Sequence, residues 1–411
     1  MDPRYPPAAE TFRERVRAFL AEHLPSGWRG IGALGDDEGR DFLASWRRTL
    51  HEHRLLAVSW PEEYGGAGLT KIEQVVLAEE LARAGVPSGD PSDTFGIKMV
   101  GNTLLRWGTE EQRRRFLPRI LSGEDRWCQG FSEPDAGSDL ASLATRASLV
   151  DGHWVLNGQK IWTSRAQHAN WMFLLARTDP DAPRHRGITF LLCPMDQAGV
   201  EVRPIRMLNG GDDFNEVFLT DARTAAENVV GEVDGGWAVA MTLLGHERGE
   251  EAAINPILFR DELDRLVRLA RERGKDRDPV VRDRLAWCYM KVETMRFLGY
   301  RILSRYLRDG TLGAEASISK LYWSEYHQRL SELAMAILGP HGLVPSGRRP
   351  IRPYRTDDPG VPDSSASWAN IFLLNARAGT VYAGTSQVQR NILGETVLGL
   401  PKEPRETHDA R

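Results

Sequence analysis

From about residue 8 to residue 125, in segments such as TFRERVRAFLAEHL and IEQVVLAEELARAG, apolar side chains return every three or four positions, the spacing that lines one face of a helix. An N-terminal helical domain is expected over 1–125. Between about 126 and 238 the interval falls toward two, and GITFLLCPM, GVEVRPIRML and NEVFLTDA read as strands. In that stretch the dipeptides Asp151-Gly152 and Asn157-Gly158 bracket the short HWVL, and each is expected to close a tight hairpin, because Asn, Asp and Gly accept the left-handed backbone such turns require. After Gly235-Gly236 the longer interval returns through about residue 400, in runs such as RDRLAWCYMKVETMRFLGYRILSRYL. The pattern predicts an α+β multidomain protein: helices, then a compact β domain over 126–238, then helices over 239–411.

Composition trims the possibilities. A chain of 411 residues with 41% hydrophobic and 27% charged positions has enough material for two or three ordinary globular domains. No segment reaches the 18 or so apolar residues of a membrane span, and MDPRYPPAAE has no basic stretch followed by an apolar one, so a cytoplasmic protein is expected. Cys128, Cys193 and Cys288 are widely spaced and form no C-x-x-C pair; they are expected to be buried as small hydrophobes. His51 and His53, two apart on a helix, face different ways and cannot share a metal. A net charge of -4 offers no general attraction to nucleic acid, although SGRRPIRPYR at 346–355 is locally basic. There is no G-x-x-x-x-G-K-[ST] and no strand followed by G-x-G-x-x-G, so a nucleotide would have to be held in some other way.

Three segments carry candidate chemistry. WCQGFSEPDAGSDL (127–140) leaves a strand for a loop in which Gly137, among hydroxyls and acids, lets backbone N–H groups approach a ligand. NGQKIWTS (157–164) places two hydroxyl residues after Trp162. In YAGTSQVQRNILGETVLGLP (382–401), Thr385 or Ser386 can cap a helix whose free N–H groups favour an anion.

Together with SWPEEYGGAGLT (59–70) and ILGPHGL (337–343), these segments resemble, in order and over nearly the whole chain, the acyl-CoA dehydrogenase family. The resemblance implies an N-terminal helical domain, a central β-barrel-like domain and a C-terminal four-helix bundle. It further implies FAD between the β domain and the bundle, an acyl-CoA substrate, and electron-transferring flavoprotein as acceptor. A homo- or heterotetramer, or a dimer, is expected. Carried over by position, Gln129, Phe131 and Ser132 would hold the flavin ring, Trp162 would cover one face, and Thr163 and Ser164 would lie close to the ring and phosphates. Thr385 and Gln387 would lie near the diphosphate, and Ser138 where the thioester and CoA chain enter.

Many members of that family have a catalytic glutamate between the Tyr and Gly of the last motif; here that place is Ala383, which cannot accept a proton. On a helix through LLGHERGEEAAI (243–254), Ala240, Leu243, Leu244 and Ile254 fall within about 60° of Glu247, placing a carboxylate inside an apolar stripe where desolvation raises its pKa. Glu250 and Glu251 share the stripe, so the period does not choose among the three. The resemblance does: in one branch, including isovaleryl-CoA dehydrogenase, the base belongs to a Glu-Arg dipeptide on this helix, matched by Glu247-Arg248, with a small residue where Ala383 stands. That branch implies Glu247 as the base, hydride transfer to flavin N5, a trans-2-enoyl-CoA product and the Ala383 N–H as a donor to the thioester carbonyl.

Three rival readings remain open on the sequence. RERGKDRDPVVRDRL (271–285) lacks the family's Arg-x-x-Phe-Gly and has Pro279 near an expected Gln, and ILGPHGL follows Ala336 where Gln is common. Those departures suit a half-site or non-catalytic subunit paired with a different dehydrogenase-like chain, as in bacterial heterotetramers acting on large acyl-CoAs such as steroid side chains. A flavin monooxygenase or oxidase on the same scaffold is the second, and a nucleic-acid-binding relative, opposed by the net charge, the third.

Overall fold

The computed structural model describes residues 5–246, 248–309, 315–347, 360–361 and 364–402. Most of the basic run at 346–355 thus lies outside the described residues.

Helices α1 (Pro7–His23), α2 (Asp36–Glu52), α3 (Lys71–Arg83), α4 (Asn102–Trp107) and α5 (Glu110–Ser122) form the N-terminal layer, with a π-helical stretch, Thr94–Gly101, running into α4. Their ends follow from local chemistry. Thr70 and Thr109 cap α3 and α5 in reciprocal pairs with Glu73 and Gln112, and Gly123 stops α5 in the left-handed region at φ +81°. Phe12, Val16 and Leu20 of α1 and Leu43, Trp46 and Leu50 of α2 are buried at helical intervals. SWPEEYGGAGLT has a packing role here: Trp60 is fully buried, and a Cβ at Gly66 or Gly101 would come within 2.1 Å of it.

The middle layer is one curled sheet of β1 (Trp127–Gly130), β2 (Arg146–Val150), β3 (His153–Ser164), β4 (Trp171–Arg177), β5 (Ile188–Pro194), β6 (Val200–Ile205) and β7 (Phe214–Ala225). The strand order is β1-β4-β2-β3-β7-β6, with β5 also on β4. Asp151-Gly152 turns β2 into β3 with both residues left-handed (φ +48° and +75°), as its sequence leads one to expect. Asn157-Gly158 is different. It lies inside β3, where the register against β7 slips between Leu156 and Gly158, so it makes a bulge and no hairpin. With neighbours on both edges the strand cannot fold back; Gly158 (φ +156°) instead permits contact with Thr145, whose Oγ1 would lie 2.5 Å from an added Cβ.

The C-terminal layer holds α6 (Gly236–His246), α7 (Arg248–Glu272), α8 (Pro279–Asp309) and α9 (Glu315–Leu338). Next, α10 (Ser365–Asn370) continues through a π-helical turn into α11 (Ala376–Ala378), and α12 (Ser386–Ile392) follows. Helix α6 sends Val239, Ala240 and Leu243 into the core shared by the N-terminal helices and the sheet. Helices α7 to α10 bury Phe259, Leu266, Cys288, Trp323, Leu330 and Trp368 in a separate core. A third cluster fills the other side of the sheet. The three cysteines are free and buried, and burial pushes the thiols of Cys193 and Cys288 up to about 12, with Cys128 shifted the same way.

Candidate active site

The first group of site residues gathers where β1 and β3 end. Gln129 pairs with Phe173 across the parallel β1–β4 ladder, and Phe131 is buried edge-on against Phe173 and Phe190. The Ile161 N–H donates to the Ser132 carbonyl at 2.9 Å, bringing both motifs together. What fastens them is Lys160. In phase with Trp154 and Leu156 it faces inward, is fully buried, and donates to Glu133 Oε1 (2.7 Å), the Leu175 carbonyl (2.8 Å) and the Phe131 carbonyl (3.3 Å). Glu133 also accepts the N–H groups of Ala144 (2.6 Å) and Thr145 (3.0 Å), so one carboxylate ties both ends of the loop that carries the exposed Ser138. Burial works to raise the Glu133 carboxyl, but the Lys160 charge and these donors outweigh it and hold it below the ordinary range. Burial draws Lys160 downward against the pull of Glu133. With three acceptors in place, we describe the two as an ion pair.

Just beyond this lock, the β3–β7 register slips again between Lys160 and Thr163, and Trp162 takes a left-handed backbone (φ +59°). Such a conformation is strained for a bulky aromatic, at a cost of about 1–3 kcal/mol, and collects at functional sites. Its indole is 58% exposed, edge-on to Phe214, so it is not the core tryptophan that strand position alone suggests. Thr163 is buried and its carbonyl accepts from Asn215 Nδ2 (3.0 Å), while among the described residues its Oγ1 has no partner. Ser164 closes the strand opposite Phe214.

The second group is the turn between α11 and α12. Thr385 caps α12, its Oγ1 accepting the Val388 N–H at 3.2 Å, and Gln387 is exposed in the first turn. Ala383 and Gly384 are both left-handed (φ +51° and +86°). The Ala383 carbonyl accepts from Gln389 Nε2 (3.1 Å) and the Gly384 carbonyl from Lys320 Nζ (2.6 Å). Across a trans peptide the N–H lies opposite the carbonyl, so the N–H groups of Gly384 and Thr385 face away from those donors. Among the described residues the N–H groups of Ala383, Gly384 and Thr385 have no partner. Three successive free donors form a cradle for an anion or a carbonyl oxygen. Ser386 Oγ, also buried, has no partner among the described residues.

Glu247 lies outside the described residues, as do the side chains of Arg248, Glu250 and Glu251. Of the residues that the sequence period puts on the face of Glu247, Ala240 and Leu243 are fully buried and Leu244 packs on the same core. Among the described residues no His/Cys/Asp/Glu group could hold a metal ion, and no helix is long and apolar enough to cross a membrane. Reading by motif passed over Lys160, Glu133, Lys320 and Gln389. The signal was present for the two lysines, since each is a cation on the apolar phase of its strand or helix.

Comparison with known proteins agrees with this architecture. Models for the acyl-CoA dehydrogenase N-terminal, middle and C-terminal domains match residues 6–124, 128–222 and 234–398. The chain belongs to the acyl-CoA dehydrogenase family. Within it, the acyl-CoA dehydrogenase IpdE1 of Mycobacterium tuberculosis is 41% identical over 401 residues, covering 96% of this chain and 99% of that protein. The IpdE1 of Mycolicibacterium smegmatis is 40% identical, covering 96% and 98%. Among solved structures, the Tcur3481-Tcur3483 steroid ACAD superimposes with a TM-score of 0.78 at 34% identity, covering 98% of this chain and 100% of that one. The ChsE4-ChsE5 complex from Mycobacterium tuberculosis gives 0.76 at 30%, with the same coverage.

Proposed function

We propose that this chain carries out FAD-dependent α,β-dehydrogenation of an acyl-CoA thioester, with Glu247 as the base. The observation that carries the reading is the cradle of free N–H groups at Ala383, Gly384 and Thr385, in a motif whose usual acid is absent. A thioester carbonyl hydrogen-bonded to the Ala383 N–H becomes more electron-poor, its α C–H becomes more acidic, and enolate-like charge is stabilised without any side chain. Glu247 then takes the α proton. Glu247 itself lies outside the described residues; Val239, Ala240 and Leu243, which precede it on α6, are buried apolar groups. Arg248 and Ser138 would contact the substrate.

The residues fit FAD. Among the described residues Thr163 Oγ1 and Ser386 Oγ are buried without partners, Trp162 offers an open indole face beside Thr163, and Thr385 and Gln387 stand at a capped helix end. Gln129, Phe131, Ser132, Trp162, Thr163 and Ser164 would hold the ring side, and Thr385 and Gln387 the diphosphate. When bound, FAD supplies the acceptor for the hydride leaving the β carbon. The product would be a trans-2-enoyl-CoA, with electrons passing to an electron-transferring flavoprotein.

We further infer a bulky acyl group and a heteromeric assembly, because the similar solved proteins include a steroid ACAD and the ChsE4-ChsE5 complex. A half-site role draws on the missing Arg-x-x-Phe-Gly, on Ala336 and on Pro279, which opens α8 where a Gln donor is expected, with Asp278 capping that helix. An FAD content of one per chain in the purified protein argues against that role; half that value supports it. The direct test of the base is anaerobic mixing with acyl-CoAs while following flavin bleaching. Glu247→Gln is expected to slow bleaching by about 10²-fold or more; a near wild-type rate removes Glu247 from the role.

A further inference from the structure

Lys320 stands on α9 in phase with the buried Trp323, Ser324 and His327, and only 7% of it is exposed. Its ammonium reaches across to the loop leaving α11, donating to the Gly379 carbonyl at 2.8 Å and the Gly384 carbonyl at 2.6 Å, with the Tyr382 ring centroid 6.0 Å away. One cation therefore grips both ends of the six-residue turn. Two neutral amides complete the hold. Gln328 Nε2 donates to Thr380 Oγ1 (2.9 Å), and the fully buried Gln389 donates from the α12 side to the Ala383 carbonyl (3.1 Å). The turn needs such restraint. Ala383 in the left-handed region is unfavourable for an L-residue, and without its fasteners the peptide would rotate toward an ordinary conformation and carry the N–H groups with it.

We propose that Lys320 is a positioning residue for the reaction. By drawing the Gly379 and Gly384 carbonyls into the bundle, with Gln389 drawing in that of Ala383, it fixes the peptide planes whose opposite edges are the Gly384 and Thr385 N–H groups, and with them the turn that carries the Ala383 N–H toward the thioester carbonyl. The inference rests on the proposed dehydrogenase reading, and it adds that the cradle is set by an ammonium from another helix, which itself touches no substrate. Donors held in place before the reaction cost no reorganisation as charge develops, so the benefit falls on the chemical step and little on binding.

The test uses the FAD-loaded protein and the variants Lys320→Met, which keeps length and removes all donors, and Lys320→Arg, which restores them. Amide hydrogen exchange is read on peptides covering 379–389, and single-turnover flavin reduction is followed with the acyl-CoA that reduces wild type best. For Lys320→Met the expectation is at least tenfold faster exchange confined to the turn. The reduction rate is expected to fall roughly 10- to 100-fold at saturating substrate, with the half-saturating concentration within about threefold of wild type. Lys320→Arg recovers much of both. Unchanged exchange and rate in Lys320→Met overturn the proposal, as does a loss expressed wholly in binding. If Lys320→Met does not fold, Gln389→Met, which frees the adjacent carbonyl, must show the same rate-specific loss; a wild-type rate there also overturns it. The two layers separate cleanly: a wild type that no acyl-CoA reduces sinks the dehydrogenase reading, whereas slow exchange persisting in Lys320→Met sinks the clamp.

Discussion

Two buried lysines organise the two halves of the candidate site, and they work in different ways. Lys160 joins three parts of the β layer: its own strand, the loop after β1 through the Glu133 carboxylate, and the Leu175 carbonyl of β4. Lys320 gathers carbonyls from one short turn onto a helix. The first contact holds distant pieces of chain to one another, so losing it threatens the fold. The second selects a conformation within a turn whose ends are already anchored by α11 and α12, so losing it threatens geometry. Beside each lysine sits a non-glycine residue in the left-handed region, Trp162 in one case and Ala383 in the other. Stored strain is thus common to both halves, and the means of holding it differs.

The contrast can be broken most forcefully at the ion pair. Lys160→Met or Glu133→Gln leaves a buried partner uncompensated and is expected to lower stability by about 3–5 kcal/mol, seen as a large fall in Tm. The double variant Lys160→Met/Glu133→Leu should lose less than the sum. An equally large fall for Lys320→Met would erase the distinction drawn here.

A pH titration gives the next largest effect. Glu133 is held below its ordinary value of 4.5, so its contribution to stability is complete above that pH and disappears as the pH falls through the lower folded value. Wild type should therefore lose stability below about pH 4.5 more steeply than Glu133→Gln, in thermal melts across pH 3–6. Parallel curves would show that the pair carries no linked proton.

The smallest effect concerns strain. Ala383→Gly removes the Cβ that makes φ +51° unfavourable and should raise stability by up to about 1 kcal/mol while leaving the N–H groups in place. A clear loss of stability would mean the turn is not strained in the way argued.

The order of helical and β regions was legible because burial imposes its period on long elements: Phe12, Val16 and Leu20 could be read as one helical face without any fold in mind. The Thr385 cap was legible too, since a hydroxyl before a helical run has few other uses. Asn157-Gly158 misled because the same dipeptide serves a hairpin and a bulge, and only the strands on either side of β3 decide between them. The left-handed backbone of Trp162 could not be read, because it opposes the residue's own preference and is set by the slip against β7. The Lys160–Glu133 and Lys320–Gly384 contacts span 27 and 64 residues of chain, beyond the reach of local pattern. Motif likeness singled out the turn before α12, the loop after β1 and the end of β3; what holds them in place required the three-dimensional arrangement.

The sealed thiols give the molecule an experimental convenience. Cys128, Cys193 and Cys288 are all buried and shifted far from neutrality, so a maleimide reagent meets scarcely any reactive sulfur in the folded protein. One cysteine introduced at Val381, 62% exposed and two residues from Ala383, would accept a fluorophore without background labelling. Its emission would then report whether that turn keeps its conformation through a single catalytic cycle.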